Sequence, residues 1–227
     1  MRFFYSFNYV FLKDKLNKMK KILMLFATMV FVFSANAQKP TNAILKTQAP
    51  DSFKIKFITT KGTIVAIAKR SWSPLGVDRL YQLVTTHFYD SIAIFRVQGN
   101  YVAQFGISSD ASLNTFWEEY PLDDEPVVTG NMEGTISFAR GGPKSRTTQL
   151  FINLKNNGKL DTIVAGGVKG YPVVARVIDG VDVIYKFYGD YGFEPATMQD
   201  SIYSQGNAFI RRRYPNVDYI IRTELGK

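Results

Sequence analysis

Hydrophobic and polar residues alternate with a period of two in several short stretches of the chain. Residues 53–58 read FKIKFI, and an apolar run, TIVAIA, follows at 63–68 after Gly62. Successive side chains of a strand point to opposite faces, so two such stretches around a glycine predict a β-hairpin. Six further runs rich in β-branched and aromatic residues lie at 93–97, 101–105, 135–139, 149–153, 173–177 and 217–223. Short strands with Gly, Asn and Pro between them are typical of a closed β-structure.

Two other stretches favour helices. Within 74–86, apolar residues recur at i, i+3, i+4 and i+7 and so share one helical face. Pro74 suits the first turn of that helix. A second helix is expected at about 181–188. We therefore predict a mainly β domain, a closed eight-stranded antiparallel β-barrel capped by two α-helices.

The N-terminal region has the layout of a secretory signal peptide. Lys20 and Lys21 precede a 13-residue apolar run at 22–34, and Ala35-Asn36-Ala37 is a small-x-small cleavage site. The run is too short for a spanning helix, which needs about 20 apolar residues. We predict a leader at 1–37, in which the signal peptide proper occupies 19–37. Translation starts at either Met1 or Met19. A linker at 38–52 and the domain at 53–227 follow the leader. The expected location is extracytoplasmic, in a bacterium the periplasm, with no membrane insertion after cleavage.

Charge and composition narrow the classes of function. The formal charge is +9, but the leader carries six basic residues against one acidic residue, which leaves +4 on the rest. The dense basic cluster that remains, 211–213, suits a helix C-terminus better than a nucleic-acid interface, which needs a wider patch. The sequence has no cysteine and one histidine, His87. Disulfides, thiolate nucleophiles and multi-histidine metal sites are thereby excluded, and we predict no cofactor, no metal and no nucleic-acid partner.

Two polar stretches have simpler interpretations than a ligand site. The acidic residues at 118–119 and 123–125 lack the spacing of a calcium-binding loop, so we predict a solvated acidic loop. The glycine-rich stretch 166–170 lacks the ending of a phosphate-binding loop, so we predict a flexible insertion.

Three motifs occur in a fixed order along the predicted barrel. They are IFRVQGNYVAQFG at 94–106, GTISFARGGPKSRTTQLFINL at 134–154 and GYPVVARVIDGVDVI at 170–184. Their order and spacing resemble those of the cyclophilins, a family of peptidyl-prolyl cis–trans isomerases. The resemblance extends from about residue 53 to residue 184, and the later stretches YGDYGFEP and QGNAFIRRRYPNVDYI look like a tail found in some bacterial members.

The resemblance implies a set of site residues. Arg96 falls at the catalytic arginine of the family, and Gln104 at the glutamine of its FxxQ motif. The substrate-binding residues implied in this way are Tyr101, Val102, Gln104, Ala139, Arg140, Gln149, Phe151, Leu160 and Tyr171. Two positions depart from the family, since Lys159 stands at its pocket tryptophan and Tyr171 at its histidine.

The implied chemistry is rotation about an X-Pro peptide bond. The barrier is about 18–20 kcal/mol because amide resonance must be broken. A guanidinium at Arg96 that donates to the prolyl nitrogen stabilises the twisted state more than either planar state. Tyr101, Val102, Phe151 and Leu160 would hold the proline ring, and the backbone of Ala139 and Arg140 would pair with the peptide.

Three functions remain open from the sequence. The first is a monomeric isomerase that assists the folding of exported, proline-containing polypeptides. The second is a non-catalytic proline-peptide-binding module or chaperone, and the third an exported envelope-associated β-barrel that only retains the pattern. Retention of Arg96, Gln104 and Phe151 favours the enzyme, whereas the changes at Lys159 and Tyr171 favour the binding module.

Overall fold

A computed structural model of the protein describes residues 40–226, so the predicted leader at 1–37 lies outside the described residues. The strands are β1 (Ser52–Thr59), β2 (Gly62–Lys69), β3 (Ile92–Ala93), β4 (Arg96–Gln98), β5 (Val102–Phe105), β6 (Thr135–Phe138), β7 (Leu150–Asn153), β8 (Val164–Ala165), β9 (Val168–Lys169), β10 (Val173–Asp179) and β11 (Tyr219–Gly226). The helices are α1 (Pro74–Thr85), α2 (Ala111–Glu118), α3 (Val181–Ile184) and α4 (Gln199–Arg213). Short 3-10 turns lie at Ile44–Lys46, Arg70–Trp72, Gly158–Asp161 and Glu194–Met198. Among these residues, no helix combines the length and apolar character needed to cross a bilayer.

Nine of the strands form one antiparallel sheet in the order β3-β11-β1-β2-β10-β6-β7-β5-β4. Its two edge strands, β3 and β4, are consecutive pieces of one stretch of chain, separated only by Ile94 and Phe95. The sheet therefore curls until both edges meet on that stretch, which the sequence predicts as a single strand at 93–97. If β3 and β4 are counted as one strand, the curled sheet has eight strands. The prediction of a mainly β antiparallel fold is confirmed.

The described helices are more numerous than the two that the pattern predicts. α1 lies where the periodicity places it, and α3 ends at Ile184, earlier than expected. α2 and α4 are additional. α4 has a weak hydrophobic periodicity and a backbone break at Gly206, with φ of 58°, so its pattern does not stand out. The basic residues 211–213 form the last turn of α4, as expected for a helix C-terminus.

Both faces of the stretch 92–95 are buried, which explains why these four residues are all apolar. Ile92, Ile94 and Val97 belong to the main core inside the curled sheet. Ala93 and Phe95 point the other way and pack beneath α4, in a second core with residues such as Ile210. Alternate residues of one strand thus anchor the sheet interior and the C-terminal helix, and each fully buried large side chain contributes about 1.5–3 kcal/mol.

The N-terminal described segment is bound to the domain, although the sequence predicts an extended linker there. The Gln82 side chain donates to the Thr47 carbonyl at 2.8 Å. The backbone N–H of Ala49 donates to the Asp78 carboxylate at 2.9 Å, and this carboxylate also pairs with Arg70. Residues 44–49 are therefore part of the packed structure, held by polar side chains of α1.

Glu125 is the exception to the predicted solvated acidic loop, because the other acidic residues, at 118–119 and 123–124, are exposed as predicted. Its side chain is 9% exposed, and its carboxylate accepts the backbone N–H groups of Leu75 at 2.8 Å and Gly76 at 3.0 Å. The Ser73 hydroxyl also donates to it, and Arg146, 1% exposed, lies 3.1 Å away. The carboxylate thus satisfies the first turn of α1 and neutralises a buried guanidinium, which is why it is not in solvent.

Replacement of Glu125 is expected to destabilise the fold strongly. Glu125→Ala leaves the buried Arg146 charge and two helix N–H groups without their acceptor, so the free energy of unfolding should fall by about 3 kcal/mol. Urea denaturation measures this change. Asp182→Ala, which removes an exposed partner of Lys186, is the control and should leave the midpoint unchanged. A Glu125→Ala midpoint equal to that of the control would contradict the buried role.

Candidate functional site

The alternation that fills the interior of the sheet also creates a second row of side chains on its outer face. Along β5 and β7, Ala103 and Ile152 point into the core, whereas the side chains next to them in sequence point out. In the strand register Arg96 faces Gln104, and Gln104 faces Phe151. Residues from separate motifs therefore meet in one cross-strand row.

This row lies in a cavity of about 250 Å³. Nine of the ten predicted site residues line the cavity, and Gln149 does not. The lining residues are Arg96, Tyr101, Val102, Gln104, Ala139, Arg140, Phe151, Leu160, Tyr171, Phe193, Ala196 and Gln199. Val102, Phe151 and Leu160 form a small buried apolar cluster, against which Tyr101, Ala139 and Tyr171 pack. The cavity thus combines an apolar floor with a polar wall at Arg96.

Two glutamines orient the Arg96 guanidinium. Nε donates to the Gln98 side-chain oxygen at 2.8 Å, and Nη2 donates to the same oxygen. Nη1 donates to Gln104 Oε1 at 2.9 Å. A guanidinium has five N–H groups, so two of them, one on each terminal nitrogen, have no acceptor within the described chain. Burial lowers the pKa of Arg96, but an arginine still carries its charge at neutral pH.

A chain of amide hydrogen bonds continues from Arg96 to the C-terminal helix. Gln104 Nε2 donates to Gln149 Oε1 at 2.8 Å. Gln149 Nε2 in turn donates to Gln199 Oε1 at 2.8 Å and to the Tyr203 hydroxyl at 3.0 Å. Burial raises the pKa of Tyr203 to about 12, so this hydroxyl stays neutral. Gln149 thus lies behind Gln104, in an adjoining cavity of about 420 Å³, and fixes the amide that orients Arg96.

Sequence reasoning missed three lining residues, Phe193, Ala196 and Gln199. They come from the segment after α3, which enters the site through the 3-10 turn Glu194–Met198. The Phe193 ring lies 4.7 Å from Arg96 Cζ, and the Tyr101 ring lies 5.6 Å from it. The only signal for this segment in the sequence is its aromatic and proline content, because an irregular turn has no periodicity.

Arg140 holds the glycine-rich insertion at 166–170 in place through hydrogen bonds to its backbone. Its terminal nitrogens donate to the carbonyls of Ala165 at 2.7 Å, Val168 at 2.8 Å and Gly170 at 2.7 Å. Its guanidinium also stacks on Tyr171, with 4.5 Å from Cζ to the ring centroid. The insertion contains the β8–β9 hairpin, where the sequence predicts only a flexible stretch. The arginine therefore acts chiefly as a structural clamp at one wall of the cavity.

A buried polar network underlies the floor. The Asn131 side chain donates to Asp161 at 2.7 Å and to the Tyr171 carbonyl at 2.8 Å, and it accepts from Ser137 at 2.9 Å. Asn157 donates to the Tyr101 carbonyl at 2.9 Å. Asn131 thus connects β6, through Ser137, to the turn that carries Leu160, and Asn157 connects the start of the same turn to the backbone before Val102. These bonds fix the positions of the floor residues relative to one another.

The two positions that depart from the family pattern differ in their surroundings. Lys159 is exposed and does not line the cavity. Tyr171 does line it, edge-on to Phe151 with 5.7 Å between ring centroids. The substituted tyrosine therefore contributes to the cavity wall, whereas the substituted lysine does not.

Groups that could act as a general acid or base near neutral pH are few around this cavity. Its lining contains no carboxylate and no imidazole among the described residues. His87 lies at the exit of α1, 3.2 Å from Asp90. Within residues 40–226, no group of three His, Asp or Glu side chains is placed to hold a metal ion. The arrangement offers a fixed cationic donor beside an apolar slot.

Comparison with known proteins identifies the family. Residues 54–202 match the family model described as cyclophilin type peptidyl-prolyl cis-trans isomerase/CLD. Peptidyl-prolyl cis-trans isomerase A of Dickeya dadantii is 32% identical over 173 residues, which cover 74% of this chain and 83% of that relative. Peptidyl-prolyl isomerase CWC27 of Mycosarcoma maydis is 23% identical over 145 residues, and the match spans 61% of this chain but only 30% of that longer relative.

Solved structures agree on the fold. The crystal structure of a cyclophilin type peptidyl-prolyl cis-trans isomerase from Cryptosporidium parvum has a TM-score of 0.56 at 15% identity, covering 78% of this chain and 98% of that one. A second structure of it, in the presence of the dipeptide Ala-Pro, has a TM-score of 0.51 at 15% identity and covers 77% of this chain and 99% of that one. The motif order, the outer-face site and the match to about two thirds of the sequence lead to one conclusion: this chain belongs to the cyclophilin family of peptidyl-prolyl cis–trans isomerases.

Proposed function

We propose that the protein isomerises X-Pro bonds of exported polypeptides, with Arg96 as the residue that stabilises the twisted amide. The observation that carries this proposal is the state of the Arg96 guanidinium. Three of its N–H groups are held by Gln98 and Gln104, and two are left for a ligand in the described structure.

The chemistry follows from the loss of amide resonance during rotation. In the twisted state the prolyl nitrogen becomes pyramidal and its lone pair becomes a hydrogen-bond acceptor, whereas in either planar state the lone pair is delocalised. A preoriented N–H of Arg96 therefore bonds the twisted state more strongly than the ground state. No covalent intermediate or proton transfer is needed for this step.

The apolar floor suits the other half of the substrate. Val102, Phe151 and Leu160 pack against one another and line the cavity, so they offer a preformed apolar surface against which a proline ring is held while the preceding residue rotates. The N–H of Ala139 already donates to the Gln149 carbonyl at 2.9 Å. A bound peptide must therefore pair with other backbone groups of Ala139 and Arg140.

The signal-like leader supports export, and we propose that the clients are exported proteins with slowly isomerising X-Pro bonds. Such bonds interconvert over tens to hundreds of seconds without a catalyst, which is slow enough to limit folding. We further propose that the protein acts as a monomer on proline-containing segments. A Cryptosporidium relative was crystallised in the presence of Ala-Pro, which supports this class of ligand.

Removal of the guanidinium is expected to abolish most of the activity. Arg96→Ala should lower kcat/KM for a proline peptide about 100-fold, close to 2.7 kcal/mol of transition-state stabilisation. Arg96→Lys keeps the charge but loses the fork to Gln98, so it should fall nearly as far. Exchange NMR of a cis/trans peptide measures the rates, and circular dichroism checks folding. A folded Arg96→Ala variant with wild-type rates would refute the mechanism, and peptide binding without any acceleration by the wild type would favour the non-catalytic module.

Gln98 is expected to act as a positioning residue. Gln98→Met keeps the side-chain length but removes the acceptor of Nε and Nη2, so kcat should fall about 10-fold with little change in KM. Gln205→Met is a matched control, because Gln205 accepts from the exposed Arg212 at 3.0 Å on α4. Faster solvent exchange of the Arg96 Nε–H in Gln98→Met, seen by NMR, would separate lost orientation from a general structural effect. Unchanged kcat and Nε–H exchange would rule out the positioning role.

The rate should be independent of pH near neutrality. Because the cavity lining lacks carboxylates and imidazole among the described residues, kcat/KM is expected to stay flat from about pH 6 to pH 8. A pH profile of the exchange rate tests this. A bell-shaped profile within that range would indicate an acid–base group that the mechanism omits.

A further inference from the structure

Phe193 is an apolar residue that the fold leaves half in solvent at the mouth of the cavity. Its side chain is 50% exposed, yet it lines the cavity and lies 4.7 Å from Arg96 Cζ. Large apolar side chains exposed at the edge of a pocket commonly mark contact surfaces for a ligand.

The turn that carries Phe193 is firmly anchored, so the exposed ring has a defined position. Pro195 and Ala196 are buried, and the N–H of Ala196 donates to the Phe193 carbonyl at 3.0 Å. The Glu194 carboxylate accepts from Arg213 at 2.9 Å and from the Tyr214 hydroxyl at 3.2 Å. The last residue of α4 and the residue after it therefore bind Glu194, the neighbour of Phe193 in the turn.

The position of Phe193 relative to Arg96 determines which part of a substrate it meets. The prolyl nitrogen belongs to the ring that sits on the apolar floor, so the residue before proline must extend beyond Arg96, away from that floor. Phe193 reaches Arg96 from the segment after α3, whereas the floor comes from β5, β7 and the turn at Leu160. A residue before proline that extends past Arg96 would therefore meet the exposed Phe193 ring.

We propose that Phe193 selects X-Pro segments in which X is aromatic or a long aliphatic residue. This inference rests on the proposed function and adds a substrate class to it. An apolar X covers the exposed ring and removes both surfaces from water, and an aromatic X adds a ring–ring contact. A small X such as alanine leaves the Phe193 ring in solvent.

The test compares peptides Ala-X-Pro-Phe with X as Phe, Leu or Ala by exchange NMR. The wild type should prefer X = Phe over X = Ala about 5-fold in kcat/KM. In Phe193→Ala the ratio should approach one, and Phe193→Leu should retain the preference for X = Leu. Tyr185→Ala is the matched control, since Tyr185 is 52% exposed and does not line the cavity. Its preference should equal that of the wild type.

Two results would overturn the proposal. One is a wild type that isomerises all three peptides equally, which would leave the proposed function intact. The other is a Phe193→Ala variant whose rates fall by the same factor for every X, because Phe193 would then act only through Arg96. If the wild type accelerates no peptide, the proposed function fails. The preference of Phe193 is then tested by binding: chemical-shift titration gives the dissociation constants of the X = Phe and X = Ala peptides, and a ratio of one would refute the proposal.

Discussion

The pairing of Arg96 with Gln104 across β4 and β5 is the constraint on which the rest of the site depends. In an antiparallel pair, a shift of one residue would turn every side chain of the strand to the other face. Such a shift would bury the guanidinium in the core and bring Val97 to the surface. The inner face prevents it, because Val97 and Ala103 fill the core only in the observed register. Core packing therefore sets the geometry of the outer face.

The outer face is a composite of pieces that are remote in sequence, and each piece is secured from outside the site. Asn131 and Asn157 hold the loops of the floor, and Arg140 holds the hairpin at the wall. Gln149 connects the orienting Gln104 to α4. Because these supporting bonds join groups of the chain itself, they do not require a substrate, and the cavity is formed before anything binds.

Much of this organisation was predictable from the sequence, and the failures have physical causes. The period-two pattern reveals strands such as β1 because one face of the strand is packed in the core and the other is exposed, and motif order gives Arg96, Gln104 and Phe151. The contribution of Phe193 was not predictable, because an irregular turn is placed by tertiary contacts alone. Glu125 looked like part of a solvated run, since sequence does not reveal that a buried Arg146 and a helix N-terminus share its carboxylate. No motif marked Gln98, and its role follows only from the two hydrogen bonds that its side-chain oxygen accepts from Arg96.

The position of β11 has a consequence for how the chain reaches this structure. β11 lies between β1 and β3, and Lys54 at the start of the sheet pairs with Gly226 near its end. Contacts of such long sequence separation form slowly, because a large loop must be closed before any of them is made. Until β11 has paired, β1 and β3 each have an unpaired edge, and unpaired edges of this kind attract other strands. A chain in which β11 has not yet joined the sheet is therefore the species in which intermolecular association competes most strongly with folding.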